Sequence, residues 1–190
     1  CAAVDAANHV LTFRRARWSA PSTEGVAPPA VRGYNSVSCA APTFCIAVDE
    51  NGNGLLLGSG RASLHQVDAT TVAKQLEAVP LTAVSCATSA LCVAVDEEGN
   101  EITLTSRGAA QTWSRPGHVD PYRLTGVSCT RSGFCLAVDD DGGTVVYDHG
   151  RWFRPSRTVP LGAIDAVSCT GVASCAVAAT SQVAIGTARG

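Results

Sequence analysis

Eight of the nine cysteines fall into four pairs with five residues between the members: Cys39 and Cys45, Cys86 and Cys92, Cys129 and Cys135, Cys169 and Cys175. Paired thiols either oxidise to a disulfide or ligate a metal. Zinc sites favour two to four residues between cysteines and a second Cys or His pair nearby. The spacing here is longer, and His9, His65, His118 and His149 follow no fixed offset from the cysteines. Five residues instead suit the turn between two antiparallel strands, where facing Cα atoms lie within about 5.5 Å, inside disulfide reach. Four bridges imply an oxidising compartment, so the chain is expected to be extracellular, secreted or cell-surface.

The other chemistry-bearing groups form no catalytic set. Asp49-Glu50-Asn51-Gly52-Asn53-Gly54 matches the first half of a calcium loop, but the twelfth position, which needs a bidentate Glu, is Gly60. Asp139-Asp140-Asp141 reads as a solvated turn. Asp148-His149 has no nucleophile nearby in sequence, and a lone His is usually structural. Ser38, Ser85, Ser128 and Ser168 each precede a first cysteine and read as strand residues, and no G-x-S-x-G or phosphate-cradling loop is present. No catalytic residue, metal or cofactor is expected.

The cysteine pairs belong to a longer repeat: VSCAAPTFCIAVDENG from Val37, VSCATSALCVAVDEEG from Val84, VSCTRSGFCLAVDDDG from Val127 and VSCTGVASCAVAATSQ from Val167. CAAVDAAN, Cys1 to Asn8, is a fifth, incomplete copy. Cys1, Cys45, Cys92, Cys135 and Cys175 are offset by 44, 47, 43 and 40 residues. Within one period, Leu81 to Cys86, Leu91 to Val95, Glu101 to Thr105 and Gln111 to Arg115 are short apolar or alternating runs bounded by Gly, Asp, Asn and Ser. Such runs are strands joined by tight turns. Four strands per ~40–45 residues make the blade of a β-propeller. The expected fold is all-β, a disulfide-stapled propeller of about five four-stranded blades over residues 1–190, incomplete in its first and last repeats. Val72 to Val79 reads as a loop insertion, although it could form a short helix, and Ser19 to Ala30 as a Pro-rich connection between blades.

Asp5, Asp49, Asp96 and Asp139 each have Asn or Gly three residues on. Asp can bond the backbone two residues ahead while Gly or Asn accepts positive φ, so these are read as turn-makers. Trp18, Trp113 and Trp152 recur late in the fourth strand; they could be stacking platforms for sugars, and are read as wedges between blades.

Cys1 aligns with a second cysteine, and its natural partner would lie six residues upstream; with the absence of methionine, this reads as a processed piece or a domain of a longer protein, the rival being an acylated lipoprotein N-terminus. Apolar residues make up 46% of the chain, which suits a globular domain. No apolar stretch approaches the ~20 residues of a membrane span. A net charge of −2 without a basic cluster argues against a nucleic-acid partner. Lys74 is the one lysine among 14 basic residues, a bias of GC-rich genomes that suggests an actinobacterial source.

The pattern VSC-x5-C-x-AVD-x-x-G, followed by an alternating strand and a Trp, resembles exported repeat proteins of actinobacteria. More distantly it is similar to sialidase-type and photosystem-assembly-factor-type propeller blades, whose T-W pair matches Thr112–Trp113. The resemblance spans Cys1 to about Gly186 and implies a propeller. The arginine cluster and Tyr nucleophile of sialidases have no assigned counterpart here, and propellers host unrelated functions.

The expected function is therefore an extracellular ligand- or protein-binding module, adhesin- or lectin-like, with a protein or glycan partner at the cell surface. The alternatives are the extracellular sensor of a receptor Ser/Thr kinase, similar to those of some mycobacterial kinases, and a small glycosidase-like enzyme, which needs paired carboxylates at one pocket. In a four-stranded blade the second-to-third turn and the blade-to-blade connection emerge on one side, away from the stapled turns. That face is expected to carry Arg32, Tyr34, Asn51, Glu97, Glu98, Tyr122, Arg123, Asp140 and Asp141. Arg32, Tyr34, Asn51, Tyr122 and Arg123 are the candidate binding residues, Tyr and Arg being enriched in interface hot spots.

Overall fold

A computed structural model describes residues 1–23, 33–58, 61–72, 75–107, 110–157, 162–172 and 174–186. The chain is all-β, and its five repeats form five antiparallel blades of a propeller. In the second blade, Tyr34–Ala41, Phe44–Asp49, Asn53–Gly58 and Arg61–Gln66 pair in chain order. The third blade repeats this with Leu81–Thr88, Leu91–Asp96, Asn100–Arg107 and Ala110–Trp113, and the fourth with Leu124–Cys129, Cys135–Asp139, Thr144–Asp148 and Arg151–Trp152. The first blade shows three strands (Ala2–Val4, Val10–Arg14, Arg17–Trp18) and so does the fifth (Ala166–Gly171, Ser174–Ala179, Gln182–Gly186). First strands of consecutive full blades lie beside one another, facing the axis. No helix among the described residues is long and apolar enough to cross a membrane.

Each cysteine pair is a directly opposed cross-strand pair at the first hairpin: Cys39↔Cys45, Cys86↔Cys92, Cys129↔Cys135 and Cys169↔Cys175. All four are disulfide-bonded, with Cα atoms 3.9 to 4.1 Å apart, so a staple closes the first turn of four blades. Cys1 is an exposed free thiol.

The hydrophobic core is divided among the seams between blades. Phe44, Ile46 and Val48 of the second blade pack on Leu81, Val84, Cys92, Ala94, Ile102 and Leu104 of the third. Val93 and Val95 on the opposite face of the third meet Leu124, Val127, Ala137 and Val145 of the fourth, and Phe134, Leu136 and Val138 meet Cys175 and Val177 of the fifth. Second strands are sandwiched on both faces, so Phe44–Asp49 and Cys135–Asp139 are buried along their whole length. In Ser174–Ala179 full burial falls on alternate residues, Cys175 and Val177.

Two sequence expectations change in detail. The insertion in the longest repeat is neither helix nor bare loop: Ala69–Val72 and Gln75–Ala78 pair as a small hairpin, consistent with the β-branched run Thr70-Thr71-Val72. Trp113 and Trp152 are wedges packed at seam cores, whereas Trp18 is half-exposed and tilted against Phe13.

Candidate functional site

In the first four blades, but not the fifth, where Ala179 takes the position, one aspartate builds the turn that follows the repeat's second strand. Asp49 Oδ1 accepts the backbone N–H groups of Asn51 (2.9 Å) and Asn53 (2.8 Å), and Oδ2 accepts from Asn53 Nδ2 (2.9 Å). Asp96 does the same with Glu98 (2.8 Å), Asn100 (2.7 Å) and Asn100 Nδ2 (2.7 Å). Asp139 accepts from the N–H groups of Asp141 (2.8 Å) and Gly143 (2.6 Å), and Asp5 from those of Ala7 and His9 (both 2.9 Å). The residue three on has positive φ each time: Asn8 at 68°, Gly52 at 70°, Gly99 at 78° and Gly142 at 85°. Asp49 and Asp96 are thus turn scaffolds, with both oxygens engaged inside the turn, rather than the start of a calcium loop.

These turns and the blade-to-blade connections surround a polar depression of about 660 Å³ at the axis, lined by Asn35, Glu50, Asn51, Pro80, Thr82, Glu97, Arg123, Thr125 and Asp165. Its floor comes from residues near the start of each first strand, which also tie neighbouring blades together. Asn35 Nδ2 donates to the Leu81 carbonyl (2.9 Å), Thr82 Oγ1 to that of Leu124 (2.6 Å), and Thr125 Oγ1 to that of Ile164. On the rim, Arg123 Nη2 meets Glu97 Oε1 at 3.0 Å across the third seam, both side chains half-exposed. Glu50 and Asp165 add two further acidic groups, so the depression is weighted towards negative charge.

Of the candidate binding residues, Asn51 and Arg123 line this depression. Tyr34 does not: it is 5% exposed and packed with Val10, Ala47 and Leu55 in the first seam. It starts an inner strand opposite Asp49, where a large side chain falls between blades rather than on the loop surface. Tyr122 is exposed but outside the lining; the Arg157 guanidinium lies 4.2 Å over its ring, and Arg157 also bonds Asp141. Arg32 lies outside the described residues. Sequence reasoning missed Asn35, Thr82, Thr125 and Asp165, although they share one repeat position, three residues before each V-S-C serine.

No protein-family model matches the chain, and no curated protein matches it. Among solved structures it is similar to the WD40 β-propeller domain of Doa1, at 8% identity and a TM-score of 0.66, over 94% of this chain and 56% of that one. The chain therefore spans a little over half the length of that structure, and at this identity the likeness establishes the propeller fold alone.

Proposed function

We propose that this propeller is an extracellular binding module, not an enzyme, that engages a protein partner through the depression on its second-to-third-turn face. The supporting observation is that four consecutive blades contribute its lining: Asn35, Glu50 and Asn51 from the second, Thr82 and Glu97 from the third, Arg123 and Thr125 from the fourth, Asp165 from the fifth. Recognition sites sit on loops held by a rigid scaffold, and here the stapled turns occupy the other side. With Arg123 set against Glu97, the acidic groups Glu50 and Asp165 favour a basic side chain on the partner. The four disulfides fit the exported setting. Fluorescence anisotropy with labelled lysine-containing peptides and their acetylated forms tests the reading. Lysine peptides should bind more tightly than acetylated ones, and Glu50→Gln/Asp165→Asn should remove the difference; equal binding by wild type and variant would reject the site. Surface biotinylation of the producing cells tests the location.

A further inference from the structure

Five aspartates among the described residues are almost wholly buried: Asp49, Asp96 and Asp139 are 0% exposed, Asp120 1% and Asp68 2%. A buried carboxylate is costly unless paired with a cation or well hydrogen-bonded. Asp49, Asp96 and Asp139 scaffold their turns. Asp68 and Asp120 lie in the connections that lead out of the second and third blades, held by N–H bonds to the carbonyls of Gly52 (3.0 Å) and Gly99 (3.1 Å). Each connection brings its carboxyl beside the turn aspartate of the next blade, Asp68 beside Asp96 and Asp120 beside Asp139, so that the two acidic groups of each pair act on one another. The pairing recurs at equivalent places in successive seams, and no protein donor among the described residues reaches Asp68 Oδ2, Asp120 Oδ2 or Asp139 Oδ2.

Two carboxylates can touch in a buried site only if a proton, or a cation, lies between them. Asp96 already accepts three hydrogen bonds from its own turn and Asp139 two. The connection aspartates are therefore the members placed to carry a hydrogen and donate it. We infer that Asp68–Asp96 and Asp120–Asp139 are proton-sharing clasps between blades, which hold the propeller most firmly in mildly acidic solution and weaken as the pH rises.

The surrounding charges favour the protonated form at the first clasp. Asp68 is pushed up to about 8 by burial first, then by the neighbouring Asp96 and the charge of Glu98. Asp120 is also raised, by burial and by Asp139, against the lowering effects of the Tyr122 N–H and the Arg157 charge. With the folded-state value above the unfolded one, the native state holds the extra proton between the two. Stability then falls as pH rises through that interval, from about 4 towards about 8 for Asp68.

Urea unfolding of the oxidised protein from pH 5 to 8, in the presence of EDTA, tests the clasps. One retained proton changes the unfolding equilibrium constant by up to about tenfold per pH unit. The wild-type midpoint should fall as the pH rises. Asp68→Asn and Asp120→Asn, whose amides donate permanently, should each flatten the slope and gain most over wild type at pH 8. Infrared spectra should show a protonated-carboxyl band at pH 7 that the double variant lacks. A wild-type midpoint that is constant or rises over this range would overturn the inference, as would unchanged slopes in both variants. Calcium chloride raising the midpoint of wild type but not of the variants at pH 8 would also overturn it, placing a cation where the proton is assigned.

Discussion

Ser85 Oγ accepts the backbone N–H of Cys129 at 2.8 Å, across the seam between the third and fourth blades. The same bond joins Ser38 to Cys86 and Ser128 to Cys169, both at 2.9 Å. The serine of the V-S-C motif thus satisfies the free inner-edge N–H of the next blade, directly beside a disulfide. Nothing within one repeat shows this, because donor and acceptor lie 44 residues apart.

Ser85→Ala leaves that half-buried N–H without its serine acceptor and should cost about 1 kcal/mol in chemical denaturation. Ser168→Ala, at the equivalent but exposed position of the fifth blade, should cost under about 0.5 kcal/mol. Equal losses would show that the seam bond carries no stability.

Alkylation of the unreduced, denatured protein should modify one thiol, that of Cys1, and all nine cysteines after reduction. More than one modified thiol before reduction would break the pairing. Replacing Cys86 and Cys92 by serine opens a short loop, for which chain entropy gives a loss of about 2 kcal/mol.

Ile102 and Ile185 occupy third strands but opposite environments: Ile102 is fully buried in the second seam, and Ile185 is 79% exposed. Ile102→Ala should cost about 2–5 kcal/mol. Ile185→Ala should change stability by under about 0.5 kcal/mol. A comparable loss at both positions, measured by urea unfolding, would mean that the outer face of the fifth blade is covered in solution.

Gly99 holds φ at 78°, and a Cβ there would collide with the Asp120 carbonyl. Gly99→Ala must strain its own turn and displace the connection that carries Asp120, a loss of at least about 2 kcal/mol. Because that connection also delivers Arg123, loss of the lysine-peptide binding described above should accompany it. A variant with wild-type stability would contradict the close approach.

The sequence by itself determined the blade: Cys86 and Cys92 with five residues between them, Asp96 with Gly99 three on, and alternating strands around them are local patterns. Strand pairing across a tight turn is decided within about ten residues, so the hairpins, the staples and the Asp-built turns were all readable from one repeat. Placement of residues between blades was not. Tyr34 looked like an interface residue and is buried in a seam, while Thr82 and Thr125 looked unremarkable and floor the depression. Asp68 and Asp96 are 28 positions apart and meet only because the connection crosses the Gly52 turn before the next blade begins. These relationships depend on how each blade is rotated about the axis onto its neighbour, a property of packing between sheets that no local residue pattern encodes.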